Sequence, residues 1–336
     1  MSVPAAAIVG LPGPVLEADA RAMLRDLDPW GVILFARNVE APAQLARLTA
    51  DVRAALGRDA PVLVDQEGGR VARLRPPHWR AWPAPLAAAQ AAGAAAPRAL
   101  WLRHRLIAAE LAAVGIDVNC VPCADVAGPA THPFLRDRCL GEDPGTVAAL
   151  ARAAAEGSLA GGVLPVVKHM PGHGRASADS HHDLPVVTAT LDDLAARDFA
   201  AFAALADLPL GMTAHVVFPA VDAAPATCSP AAISLIRRRI GFAGLLMSDD
   251  LGMNALQGSP AERAARAIAA GCDVALMGNG PLSVMAAVAE AAGPLTPSAQ
   301  ARADAALALR RSDGADPQAL AAELAALAPG QMEPAA

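Results

Sequence analysis

From Val166 to Val187 the chain reads VVKHMPGHGRASADSHHDLPVV, an apolar run that opens into a loop carrying one Lys, four His, two Asp and two Gly. Asp179 stands two residues before His181. That spacing lets the carboxylate accept a hydrogen bond from one imidazole nitrogen, fix the tautomer and leave the other nitrogen for proton transfer. Lys168 and His169 end the apolar run itself. In LLMSDDLGM, Asp249 directly follows another apolar run, with Asp250 beside it. Neighbours on an extended segment point in opposite directions, so one acid can face a pocket while the other binds backbone or a basic residue. VDQEGGRVARL contributes Asp65, Glu67, Arg70 and Arg73 around the Gly68–Gly69 pair. Two glycines let backbone approach a ligand closely but do not make a phosphate-binding fingerprint. Arg138, in LRDRCLGEDP, adds a further guanidinium.

His169, His173, Asp179, His181 and His182 also have the chemistry of zinc ligands, so a metal-dependent hydrolase is the main competing reading. Pro171 and Gly172 inside HMPGH exclude a helical HxxxH face, and neither a metal nor a cofactor is expected. The chain has no Tyr and few aromatic residues near these motifs. That composition suits a small, hydroxyl-rich ligand held by hydrogen bonds better than a flat aromatic cofactor.

Eight Val/Ile/Leu-rich runs would position these groups: AAIVGL from Ala6, WGVILFA from Trp30, PVLVDQE from Pro61, GIDVNCV from Gly115, VLPVVKH from Val163, LPLGMTAH from Leu208, AGLLMSD from Ala243 and CDVALMG from Cys272. Each leads through a loop into an Ala/Leu/Arg segment of helical spacing, and such continuous apolar strands are expected where helices cover the sheet. Asp65, Lys168, His169, His215, Asp249 and Asn279 all fall where a run ends. An α/β fold of the single-domain (β/α)8 TIM-barrel type, spanning residues 1–336, brings those ends to one face. A doubly wound sheet gathers ligands at one switch point and accounts for fewer of them. Thr190 and Ser229 read as helix caps, with Pro230 at a first helical position and Gly241 as a stop. RPPHWRAWPAP, residues 75–85, reads as a loop over the barrel mouth, and the C-terminal LAPGQMEPAA as a fraying tail.

The 336 residues carry a formal net charge of -6 and no basic tract, which argues against nucleic acid or an anionic membrane as partner. MSVPAAAIVGLPG lacks a basic leader, and its apolar stretch is broken by Pro and Gly. Neither a signal peptide nor a membrane span is expected. The expectation is a cytoplasmic monomer acting on a small molecule. Cys120 and Cys123 have the spacing of a redox or zinc pair, but no second CxxC exists. Reduced thiols packed as small hydrophobes are the simpler expectation.

KHMPGHG…DSHHDLP, SDDLGM, VDQEGGRVARL and MTAHVVFPAVD…PATCSP together resemble the bacterial β-N-acetylglucosaminidases (β-hexosaminidases) of glycoside hydrolase family 3, in order from about Val64 to Asn279. The resemblance implies a (β/α)8 barrel with Asp249 as nucleophile and His181, oriented by Asp179, as general acid/base. It implies that Asp65, Arg73, Arg138, Lys168 and His169 hold the terminal N-acetylglucosamine. The implied role is removal of that sugar from muropeptides during peptidoglycan recycling, by a retaining mechanism through a glycosyl-enzyme. A phosphorylase using the same residues is the alternative. Met170 and Gly252 stand where the family usually has Phe and Ser, and NCVPCADV departs from its usual strand, which leaves aglycone preference open. Gly172 and Gly174 suggest hinges that let the loop close over bound sugar.

Overall fold

The computed structural model describes residues 3–178 and 183–329. Eight parallel strands close into a barrel: β1 (Ala5–Gly10), β2 (Pro29–Leu34), β3 (Val62–Val64), β4 (Val118–Asn119), β5 (Leu164–Met170), β6 (Leu210–Thr213), β7 (Leu245–Asp250) and β8 (Val274–Met277). Each overlaps one of the eight apolar runs of the sequence. β1 closes the ring on β8 through the pairs Ala7–Ala275, Ile8–Leu276 and Val9–Met277. Strand residues are buried almost throughout, because side chains fill the barrel on one side and helices cover it on the other.

Besides a break between Ala5 and Ile8 of β1, two breaks in register interrupt this wall at its carboxyl ends, between Val167 and Met170 of β5 and between Met247 and Asp250 of β7. Lys168 and His169 fall in the β5 break, Ser248 and Asp249 in the β7 break. A bulge re-aims side chains that a regular ladder would hold in place. Both chemically active strand ends therefore carry the irregularity that frees their side chains.

The helices follow from local signals. Pro42–Leu56 spans the segment read from the sequence, with Pro at its start and Gly57 left-handed at its end. The Thr190 hydroxyl accepts from the Asp193 N–H and the Ser229 hydroxyl from that of Ala232. The segment after Thr190 is two helices, Leu191–Ala196 and Asp198–Ala203, because Arg197 departs from helical geometry where its guanidinium reaches the Ala127 carbonyl.

The expectation that residues 75–85 cover the mouth is corrected. Trp79 and Trp82 are buried in the core, and none of these residues lines the central cavity. Arg103, on the helix Ala96–Ala112, donates to the Pro83 carbonyl at 2.6 Å, and Trp82 Nε1 donates to Glu110 on the same helix. The segment is thereby pinned against the outer layer. At the C-terminus, the helix Pro317–Leu327 buries Leu320 and Leu324, and Ala328 beyond it is also buried. The rest of the expected tail, residues 330–336, lies outside the described residues. Among the described residues no helix is long and apolar enough to cross a membrane.

The helices Ala96–Ala112 and Pro144–Ala160 meet where Gly157 leaves no room: a β-carbon there would lie 2.2 Å from the Trp101 carbonyl oxygen. Gly157→Ala is expected to force the two helices apart. Overpacking of this kind costs about 1–3 kcal/mol, read as a lower urea midpoint with an unchanged slope.

Candidate active site

A cavity of about 490 Å³ opens at the carboxyl ends of the strands. Asp65, Arg73, Arg138, Lys168, His169 and Asp249, drawn from widely separated parts of the chain, all line it. The barrel therefore gathers the strand-end residues as expected, apart from His215.

A compact ion cluster forms one wall. Lys168, on β5, donates to Asp65 at 2.9 Å and contacts Glu67 at 2.7 Å. Arg138 grips Glu67 with two parallel bonds, Nε at 2.9 Å and Nη2 at 2.8 Å, and Arg73 contacts Asp65 at 3.1 Å. Burial opposes ionisation of Asp65, but Lys168, Arg73 and Arg138 outweigh it and hold the carboxyl well below the ordinary carboxylate range. Glu67 is likewise desolvated, yet Arg138 and Lys168 bring it down to about 2. Lys168 is raised above its usual value because the two carboxylates outweigh its own desolvation. Glu67 was visible in the sequence only as part of the motif; its function as the shared counter-ion of Lys168 and Arg138 was not.

His169 lies beside this cluster, and its Nδ1 is 2.7 Å from Asp125 Oδ2. Asp125 is fully buried, and its other oxygen accepts the His173 backbone N–H at 2.6 Å. Although burial opposes it, His169 and the surrounding donors lower the Asp125 carboxyl to about 2. As an ionised acceptor, Asp125 holds a proton on His169 Nδ1 and fixes the direction of the ring. This carboxylate–imidazole pair escaped the sequence reading because its members are 44 positions apart.

On β7 both acids line the cavity, against the alternation expected of a regular strand, because the register break falls here. Asp249 faces the cavity and accepts the Asp250 backbone N–H at 2.8 Å. Desolvation works against its charge, but His169, His215 and Lys168 among its neighbours hold the carboxyl below the ordinary range. Asp250 accepts from the backbone N–H groups of Gly252 and Gly278 at 2.9 and 3.1 Å, and from Asn279 Nδ2 at 3.0 Å. Its carboxyl is raised, chiefly by burial. Arg37 completes the seam by donating to the Asn279 side chain and to the Leu11 and Gly278 carbonyls.

His215 is buried with structural partners: Nδ1 meets the Thr227 hydroxyl at 2.8 Å and Nε2 the Asp250 carbonyl at 3.1 Å. Burial lowers its pKa. It braces β7 and does not line the cavity.

Two aromatic rings missed by the sequence reading, Phe35 and Phe134, do line the cavity. Phe35 lies under the guanidinium groups of Arg37 and Arg73, at 4.8 and 5.5 Å. Nothing in the apolar run around Phe35 distinguished it from core. Met170, by contrast, is fully buried with its methyl group packed near Gly211 and does not line the cavity.

Asp179 and His181 lie outside the described residues, as does His182. Gly172 and Gly174 are required by close approach: β-carbons there would lie 2.9 Å from Asp198 Cβ and 2.1 Å from the Val126 carbonyl oxygen. Arg175 donates to Asp198 at 2.6 Å and His132 N–H to Ala176 O at 3.0 Å, anchoring the loop up to that point. All five cysteines are free, and Cys120 and Cys123 are buried.

Residues 8–308 match the profile of the glycosyl hydrolase family 3 N terminal domain. A beta-hexosaminidase from Bordetella avium is 39% identical over 294 residues, covering 83% of this chain and 81% of that protein. One from Methylococcus capsulatus is 41% identical over 280 residues, covering 81% and 82%. The structure of NagZ from Neisseria gonorrhoeae in complex with N-trifluoroacetyl-D-glucosamine superposes with a TM-score of 0.79 at 31% identity, covering 97% of this chain and 99% of that one. A family 3 beta-N-acetylglucosaminidase from Paenibacillus sp. str. FPU-7 gives a TM-score of 0.86 at 29% identity, covering 96% and 67%.

Removing the shared counter-ion leaves Lys168 and Arg138 buried against each other. Glu67→Gln is expected to cost about 3–5 kcal/mol of stability, measured by urea unfolding. A second expectation concerns acid. Burial lowers His173 to about 4 and His104 to about 3. The unfolded chain therefore binds more protons than the native one between those values and the ordinary histidine pKa of about 6.5. Stability should fall as pH drops through that window, and fall further as the depressed carboxylates protonate. His173→Asn should flatten the first part of the slope in urea midpoints taken across it.

Proposed function

Because the chain belongs to glycosyl hydrolase family 3 and is a glycosidase, we propose that it is a retaining exo-β-N-acetylglucosaminidase that removes terminal non-reducing N-acetylglucosamine from muropeptides of the GlcNAc–anhydroMurNAc type in peptidoglycan recycling. The observation that carries the proposal is Asp249, a carboxylate kept ionised by its neighbours and lining a sugar-sized cavity together with a cluster of paired charged groups. Binding pockets of this kind span roughly 300–1,000 Å³. The names of the relatives, and the glucosamine derivative in the Neisseria gonorrhoeae complex, support the choice of sugar.

In this reading Asp249 attacks the anomeric carbon and forms a glycosyl-enzyme. A nucleophile must be deprotonated at working pH, and the charges around Asp249 favour that state. Asp65, Arg73, Arg138, Lys168 and His169 hold the sugar hydroxyls. Their contacts with one another and with Glu67 and Asp125 fix their directions before substrate arrives, so little ordering is left to binding. His181, oriented by Asp179, protonates the leaving oxygen and then takes a proton from water.

Hydrolysis of a chromogenic β-N-acetylglucosaminide tests the assignment. Asp249→Asn should abolish turnover while a competitive sugar ligand still binds. His181→Ala should lose about 10²–10⁴-fold in turnover, with sugar binding retained. Normal turnover in Asp249→Asn would remove the proposed nucleophile. A sugar 1-phosphate as main product in phosphate buffer would replace hydrolysis by phosphorolysis.

A further inference from the structure

Cys123, Asp125 and His169 present one donor atom each within 4.8 Å of one another, and all three residues are buried. Cys123 Sγ lies 3.3 Å from Asp125 Oδ2, and the same oxygen is 2.7 Å from His169 Nδ1. We propose that these three residues form a binding site for a zinc-class divalent cation, and that its occupation inhibits the glycosidase through His169.

Donor chemistry selects the ion. A thiolate, an imidazole and a carboxylate suit zinc or its heavier analogue cadmium, whereas magnesium and calcium prefer oxygen alone. Zinc bonds of about 2.0–2.3 Å in a tetrahedral set place the donors about 3.3–3.8 Å apart. The sulfur–carboxylate distance already fits. The carboxylate–imidazole pair has to open by less than an ångström.

The surroundings supply what such a site needs. Asp125 Oδ1 is held by the His173 N–H, so Oδ2 is directed toward the other two donors. The Cys139 thiol contacts that of Cys123 within a small apolar cluster with Ala127 and Leu135, and offers a fourth ligand. The His173 ring is 5.7 Å from that of His169, and neither of its nitrogens has a hydrogen-bond partner among the described residues. A buried imidazole without a partner marks a place where a ligand or ion remains to be accounted for. His169 and His173 both line the central cavity, which gives an ion its path inward.

Binding changes what His169 presents to the sugar. The cation takes Nδ1 of His169 in place of its hydrogen bond to Asp125, so the ring proton that remains sits on Nε2 and the imidazole can only donate to the sugar. The Cys123 thiol gives up its proton to solvent as the metal–sulfur bond forms. Binding is therefore coupled to proton release, and affinity rises with pH below the thiol's own titration. The metal site stands apart from the proposed function; its inhibitory effect rests on His169 holding the sugar.

Titration of the full chain with cadmium chloride, followed by the ultraviolet thiolate-to-metal charge-transfer band, tests the site. The wild type should saturate at one equivalent, Cys228→Ser should behave identically, and Cys123→Val and Cys123→Ser should both lose the band. Zinc chloride should reduce wild-type turnover of the chromogenic substrate, reversibly with a chelator. The fractional loss should be at least tenfold weaker in the Cys123 variants, each measured against its own metal-free rate. A missing band, a band that survives both substitutions, or equal fractional inhibition would overturn the proposal. A band lost as expected without any inhibition of the wild type would keep the metal site and overturn the function of His169.

Discussion

Five charged side chains pair beside the cavity: Asp65, Arg73, Arg138 and Lys168 line it, and buried Glu67 joins Arg138 to Lys168. None could be buried alone, since an isolated ion in a protein interior either loses its charge or destabilises the fold. Together they satisfy one another. β3 brings the carboxylates, β5 the ammonium, and the segment after β4 a guanidinium. The packing of three consecutive barrel segments and the polarity of the cavity are therefore one constraint. A cluster already aligned by its own attractions can recognise hydroxyls without first reorganising.

Two of the three strand irregularities, in β5 and β7, lie beside that cluster and the cavity. A regular parallel ladder places side chains alternately in the barrel and in the outer layer. The breaks in β5 and β7 redirect Lys168, His169 and Asp249. Asp250 then becomes an acceptor for backbone and Asn279, and His215 braces the same turn. The position proposed for the nucleophile is consequently supported from β6 and β8 as well as from its own strand.

The fold was legible because its signal is repeated. Eight apolar runs recur, five of them ending at Asp65, Lys168 and His169, His215, Asp249 or Asn279, and a barrel brings such ends to one face. Alternation alone assigned Asp249 and Asp250 opposite directions, but both line the cavity because the break in β7 suspends that rule. Asp125 could not be recognised, because a lone Asp after CxxC gains meaning only when β5 brings His169 beside it. Glu67 was hidden for the same reason, its partners lying on other strands. His215 resembled the functional strand-end residues until its partners showed both ring nitrogens engaged in the framework. The Pro/Trp-rich segment was misplaced because composition reports a loop but not the surface it packs against; Arg103 and Glu110 decide that.

The seam between the first and last strands has a consequence for the life of the chain. A β-carbon on Gly10 would fall 2.0 Å from the Gly278 carbonyl oxygen, so the two backbones meet almost directly, with Arg37 tying both to Asn279. Every other strand finds its neighbours soon after it is made, but β1 waits on the ribosome for nearly the whole polypeptide before β8 emerges. Chains translated at about 5–20 residues per second leave that edge open for many seconds. A nascent or truncated product ending before β8 lacks the Gly278 and Asn279 donors to Asp250, and so cannot assemble a working centre prematurely.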